Sequence, residues 1–159
     1  MTFVPKKPKP LWEDVPFFEQ SRAYGIDGRE TEKSIERLKG EICEWLGKVG
    51  ATGMYFVDGE YQAGSLRHGW RIYFTMSGIP GRIDCAALPV QNETEQKIQK
   101  AQKQALYLLR DELKAAYFAA LHKPGSVPLI PYLMVGPEEQ TVTELLVKSG
   151  KFPALGTGE

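Results

Sequence analysis

Guanidinium groups and aromatic rings on one face of a strand can pair with phosphates and stack on unpaired bases. This chain offers such a set. Residues 70–76 and 82–87 alternate between apolar and polar positions, the pattern of half-buried strands. Trp70, Ile72, Phe74 and Met76 alternate with Arg71, Tyr73 and Thr75, and Ile83, Cys85 and Ala87 alternate with Arg82, Asp84 and Ala86. A hairpin of the two runs places Arg71, Tyr73, Arg82 and Asp84 together on the face turned from the core. Arg67 and His68 precede them in residues 64–69, read as a loop, and Lys97, Lys100 and Lys103 follow at i, i+3 and i+6 of a predicted helix. From Arg67 to Lys103 six Lys/Arg stand against three acids, although the formal net charge of the chain is +0. A nucleic-acid role therefore needs a local patch made by Arg67, Arg71, Tyr73, Arg82, Lys97, Lys100 and Lys103, since no global field recruits a polyanion. Against it, Arg82 can simply pair with neighbours such as Asp84 on a solvated sheet face.

Catalysis has less to work with. His68 and His122 are the only histidines, and neither has a Cys, His or acidic partner at ligand spacing along the chain. No metal, cofactor or catalytic residue is therefore assigned. His122 falls in the last turn of a predicted helix, where a cation suits the dipole. Gly78–Gly81 is too short for a phosphate loop and leads into a strand, and no GxSxG elbow is present. Asp84 on a third strand could ligate a metal in a carboxylate nuclease, but Cys85 and Ala86 supply no second acid or lysine; this is the weakest of three readings. Cys43 and Cys85 fit no metal spacing and read as small core residues.

The leading expectation is a non-enzymatic protein-interaction or assembly module, with self-association included. It rests on apolar side chains in segments too proline-rich to form regular elements. Trp12, Phe17 and Phe18 lie in an N-terminal arm, and Tyr132 lies in a tail with Leu129, Ile130, Leu133 and Met134. Such segments cover a partner as readily as their own core.

The elements that must position these residues give an α+β class in α-β-β-β-α order. The spacing predicts an antiparallel sheet of three to four strands packed against two helices. Residues 1–30 read as an extended arm, basic at Lys6, Lys7 and Lys9; 31–123 form the core; 124–159 pack on it as a strand and short helix. The first helix runs from Thr31, as cap, to Val49. Met54–Val57 is a strand, Asp58-Gly59 a hairpin turn, and residues 60–63 its return. Asn92 and Glu95 form a capping box for a helix reaching Lys123, about 45 Å long, which outruns strands of roughly 20 Å. Its stripe includes Ile98, Ala105, Leu108, Leu113 and Leu121. Residues 141–148 form a short helix with Val142, Leu145 and Leu146 inward, and residues 156–159 are loose. No apolar run reaches the ~20 residues of a membrane span, and no signal peptide is recognisable, so a cytoplasmic location is the default.

Two blocks, QKAQKQALYLLRDELKAAY and PLIPYLMVGPEEQTVTELLVKSGKFPAL, resemble small uncharacterised phage- and prophage-encoded proteins, in which a long basic helix precedes a PYL-type strand and a TV-x-E-L helix. The resemblance covers roughly the last 60 residues. It implies an accessory protein of a virus or mobile element and carries over no functional residue. The helix–three strands–helix order also resembles the double-stranded-RNA-binding domain, but the long helix and short lysine series depart from that family's signature, which leaves an analogy of fold.

Overall fold

A computed structural model describes residues 1–6 and 10–149. The class is α+β, with helix α1 (Ile35–Lys48), strands β1 (Ala51–Ala63), β2 (Ser65–Met76) and β3 (Ile79–Ala86), and helices α2 (Glu95–Leu121) and α3 (Val142–Lys148). Among the described residues the sheet is a three-stranded antiparallel meander, β1-β2-β3. Trp70, Ile72, Phe74 and Met76 point to one face, as their alternation requires, and pack with Leu38, Ile42 and Leu46 of α1 and Leu106, Leu109 and Leu113 of α2. Both long helices therefore cover one side of the sheet. No helix among the described residues is long and apolar enough to cross a membrane.

The hairpin turn lies elsewhere than expected. Asp58 and Gly59 sit inside β1, opposite Trp70 and Gly69, and the chain reverses at Gly64, between the paired Ala63 and Ser65. Gly64 has φ +78°, and a Cβ there would meet the Glu13 carbonyl oxygen at 2.5 Å, so glycine is required on two counts. Asp58 is held in the strand because its carboxylate accepts from Gln102 Nε2 at 2.7 Å. Residues expected in a return strand and a loop, 60–63 and 64–69, thus belong to β1, the turn and β2. With 13 and 12 residues, β1 and β2 are roughly 40 Å long. The 27-residue α2 is about 40 Å, so it does not outrun the sheet.

Helix ends also shift. Ser34 caps α1, accepting from Arg37 N at 3.1 Å, while the Thr31 hydroxyl accepts from Lys33 N in a preceding turn. Thr94 caps α2 through Lys97 N; Asn92, at φ +49°, lies in the turn before it. Leu108 and Leu121 are exposed, and the buried stripe takes in Gln102 and Gln104 instead. The last turns of α2 lie against α1, with Trp45 in ring contact with Tyr117 and Phe118.

The arm is not wholly extended. Every proline of its sequence precedes Phe17, so Phe18–Tyr24 are free to form a 3₁₀ segment. Phe18 is buried with Ala87, Val90, Ala101 and Ala105 in a second core. The tail is less strand-like than its apolar content suggests, because Pro131 has no N–H and Leu129 stands at φ +71°. Ile130–Tyr132 form a turn, and only the bridges Gly81↔Leu133 and Met134↔Thr141 remain. Leu129 and Leu133 close the main core beside β3. Beyond them Thr141 caps α3 in a full capping box with Glu144. Leu145 faces inward, but Leu146 is exposed. Cys43 and Cys85 are free and half-buried. Lys7, Lys9 and residues 150–159 lie outside the described residues.

Candidate functional site

Because side chains alternate along a strand, the sheet face opposite the helices carries Tyr61 from β1, Arg67 and Arg71 from β2, and Arg82, Asp84 and Ala86 from β3. These residues are the floor of a cleft of about 660 Å³. Trp12 of the arm forms one wall; Pro131, Tyr132, Thr141, Thr143 and Glu144 of the tail form the other. A cavity of this size is in the range that holds small ligands or a few side chains.

Arg67 is a fixture of the floor rather than a loop cation. It is 6% exposed, and its guanidinium donates to the carbonyls of Ala87 (2.8 Å), Trp12 (2.7 Å) and Ala86 (3.0 Å). The bond to Trp12 fastens the arm to the sheet. Arg82, 9% exposed, donates to Asp84 at 3.0 Å, to the Glu139 carbonyl at 3.1 Å and to the Glu144 carboxylate, and so fastens the tail. Arg71 donates Nε to Asp84 at 2.7 Å. Tyr61 Oη lies 2.8 Å from both Asp84 Oδ1 and the Trp70 carbonyl. Burial and Asp84 push the Tyr61 phenol far above its ordinary value, so it remains a donor.

Asp84 is the hub. Burial works to raise its pKa, but hydrogen bonds from Arg71 and Tyr61 and the charges of Arg71 and Arg82 outweigh that and hold the carboxyl below its ordinary value. Glu144 is likewise low: burial opposes, and the Thr141 backbone bond and Arg82 prevail. A depressed folded value means that the ionised carboxylate stabilises the fold above the unfolded pKa, ~3.9 for aspartate, and that this stability is lost as pH falls through the folded value. Asp84→Asn is accordingly expected to be less stable than wild type at pH 7 and to lose less stability over the acid window below about pH 4. Urea unfolding across that window measures it, and parallel pH profiles would count against the hub.

Two guanidiniums and a phenol around Asp84 make a poor environment for a metal ion. Among the described residues no group of three or more His, Cys, Asp or Glu is placed to hold one. His68 is not an exposed loop residue: it is half-buried in β2, with Nε2 3.0 Å from Glu93 and Nδ1 4.0 Å from Glu60. The Cys85 thiol is pushed up to about 12 by burial, which leaves it an inert core group.

The structure separates the cations that a single basic patch required. Arg67, Arg71 and Arg82 share the cleft, and Tyr73 stands beyond it, stacked on Tyr55 with centroids 4.9 Å apart. Lys100 and Lys103 belong to α2 on the other side of the sheet, where with Arg29 they border a small cavity of about 90 Å³. Lys97 donates to the Gln91 carbonyl and lies 3.7 Å from Glu19. The aromatic residues divide too: Trp12 and Tyr132 line the cleft, Phe18 is core, and Phe17 is partly exposed beside it. Sequence reasoning missed Tyr61 and Glu144. Reading β1 as continuous through Gly59 would have put Tyr61 on the outer face, and the Thr141-x-x-Glu144 capping signature marks Glu144.

Compared with protein families, curated proteins and solved structures, the chain matches none.

Proposed function

We propose that the chain is a non-enzymatic, cytoplasmic interaction module that takes a segment of a partner protein in the cleft between its arm and its tail. One observation carries the reading. Chain segments from opposite ends of the sequence are tied onto the same sheet face by two buried arginines, and they leave an open channel between them. Covering a core needs no such channel, because the helices already bury the other face of the sheet. Trp12 and Tyr132 supply the amphipathic rings enriched at binding surfaces. An accessory role in a phage or mobile element belongs to the same proposal and is supported by the pattern of the C-terminal blocks alone. The nucleic-acid alternative ranks second, because Arg67 and Arg82 are engaged internally and Lys100 and Lys103 lie on the other side of the sheet, beside Arg29 and Glu30.

Thr143 lines the cleft from an exposed position, so Thr143→Trp obstructs it without touching the core. Peptides selected on the wild-type protein from a random displayed library are expected to bind Thr143→Trp at least tenfold more weakly, read by calorimetry. Clones that bind both proteins equally would place the interaction on another face.

A further inference from the structure

The charge balance of the floor indicates what the cleft takes, on the reading that the cleft is the binding face. Three guanidiniums, Arg67, Arg71 and Arg82, face two carboxylates, Asp84 and Glu144. Arg82 engages both carboxylates and Arg71 shares Asp84. Arg67 meets only carbonyl oxygens, and no carboxylate lies within ion-pair distance of it among the described residues. One positive charge is left without a counter-charge in a partly enclosed cleft, where its field is stronger than in open water.

The donors to meet an anion are also present. A guanidinium carries five N–H groups. On Arg71, Asp84 takes Nε, and Tyr73, next but one on the strand, is the only other polar partner among the described residues. At least three donors on its Nη edge remain, and the side chain is 38% exposed. Asp84 does not compete for a ligand, because Arg71, Arg82 and Tyr61 already surround it. A planar fork matches a carboxylate in bidentate fashion. An excess of one charge fits one carboxylate better than a phosphate monoester carrying about −1.5 to −2.

We propose that Arg71 anchors a single Asp or Glu side chain of an extended partner segment, whose flanking apolar side chains lie against Trp12 and Tyr132. The occupant is thus an acidic residue set among apolar ones, in a strand-like peptide.

The test uses two randomised seven-residue libraries on the full-length protein: one displayed internally, with both ends joined to carrier, and one ending in a free carboxylate. The internal library is expected to return sequences with one Asp or Glu between apolar residues. Changing that acid to its amide should weaken binding at least tenfold on the wild type and have no effect on Arg71→Met, whose folding is checked by thermal melting. Salt should weaken the acidic peptide more than its amide twin. Clones that Thr143→Trp rejects but that carry no acid, or whose amide twins bind equally, would overturn the carboxylate assignment and leave the cleft as the binding face. Acid-free sequences enriched only from the free-ended library, and dependent on Arg71, would overturn the side-chain source. No enrichment over Thr143→Trp from either library would overturn both readings.

Discussion

Arg67→Met is expected to lower the free energy of unfolding by about 4 kcal/mol, and to detach the arm while the rest of the sheet persists. The substitution leaves the carbonyls of Trp12, Ala86 and Ala87 without their donor. A buried polar group left unpaired costs about 1–3 kcal/mol. Methionine fills similar volume, and removing a buried cation returns part of the loss, which sets the net figure below the sum. Arg67→Lys should recover little, because one ammonium on a flexible stem cannot span three carbonyls as a rigid fork does. Urea denaturation measures the total, and limited chymotrypsin cleavage near Trp12, faster in the variant, reports the arm. A loss under about 1 kcal/mol, well below one unpaired carbonyl's upper cost, would show that the arm is held by other means.

Gly69→Ala is the second large effect, about 3 kcal/mol, at the upper end of overpacking costs. A Cβ at this position would lie 2.3 Å from the Cys85 carbonyl oxygen, 2.9 Å from Ala86 Cα and 3.0 Å from the Tyr61 ring. Two of these are backbone of β3, so the clash cannot be relieved by turning a side chain. The third is the ring whose hydroxyl meets Asp84, so the variant disturbs the cleft as well as the sheet. Gly59 is the matched control. It faces Gly69 across the β1–β2 pair, yet an added Cβ there has nothing within 4 Å. Gly59→Ala should therefore be neutral or gain a few tenths of a kcal/mol through the unfolded chain. Equal melting temperatures for the two variants would refute the steric account.

The side of the sheet on which each strand residue falls was readable from alternation, because a period of two is a local property. Trp70, Ile72, Phe74, Met76 and Ile83 followed it into the core. Asp58-Gly59 misled because its turn preference competes with pairing energy that depends on distant residues: Gln102 on α2 and Trp70 on β2 both draw Asp58 into the strand. That one displacement hid Tyr61 and left residues 65–69 of β2 in an expected loop. The paired state of Arg67 was equally illegible, since its acceptors come from residues 19 to 55 positions away. Local signals did mark α3 and its Thr141 cap, but nothing local shows that α3 rides over Arg82.

The walls of the cleft are joined to the sheet by bonds that span long stretches of sequence: 55 residues for Arg67 to Trp12, 57 for Arg82 to Glu139 and 62 for Arg82 to Glu144. The β1-β2-β3 meander closes through short turns. Loop closure over such spans carries an entropic cost that local pairing does not meet, so the walls dock after the meander has formed. By the same reasoning they open first. Amide hydrogens that tie the tail, those of Met134 to Pro80 and Val142 to Leu133, should exchange with deuterium well before those within β2. An occupant bridging both walls would slow exchange at these amides and leave the core rates where they were.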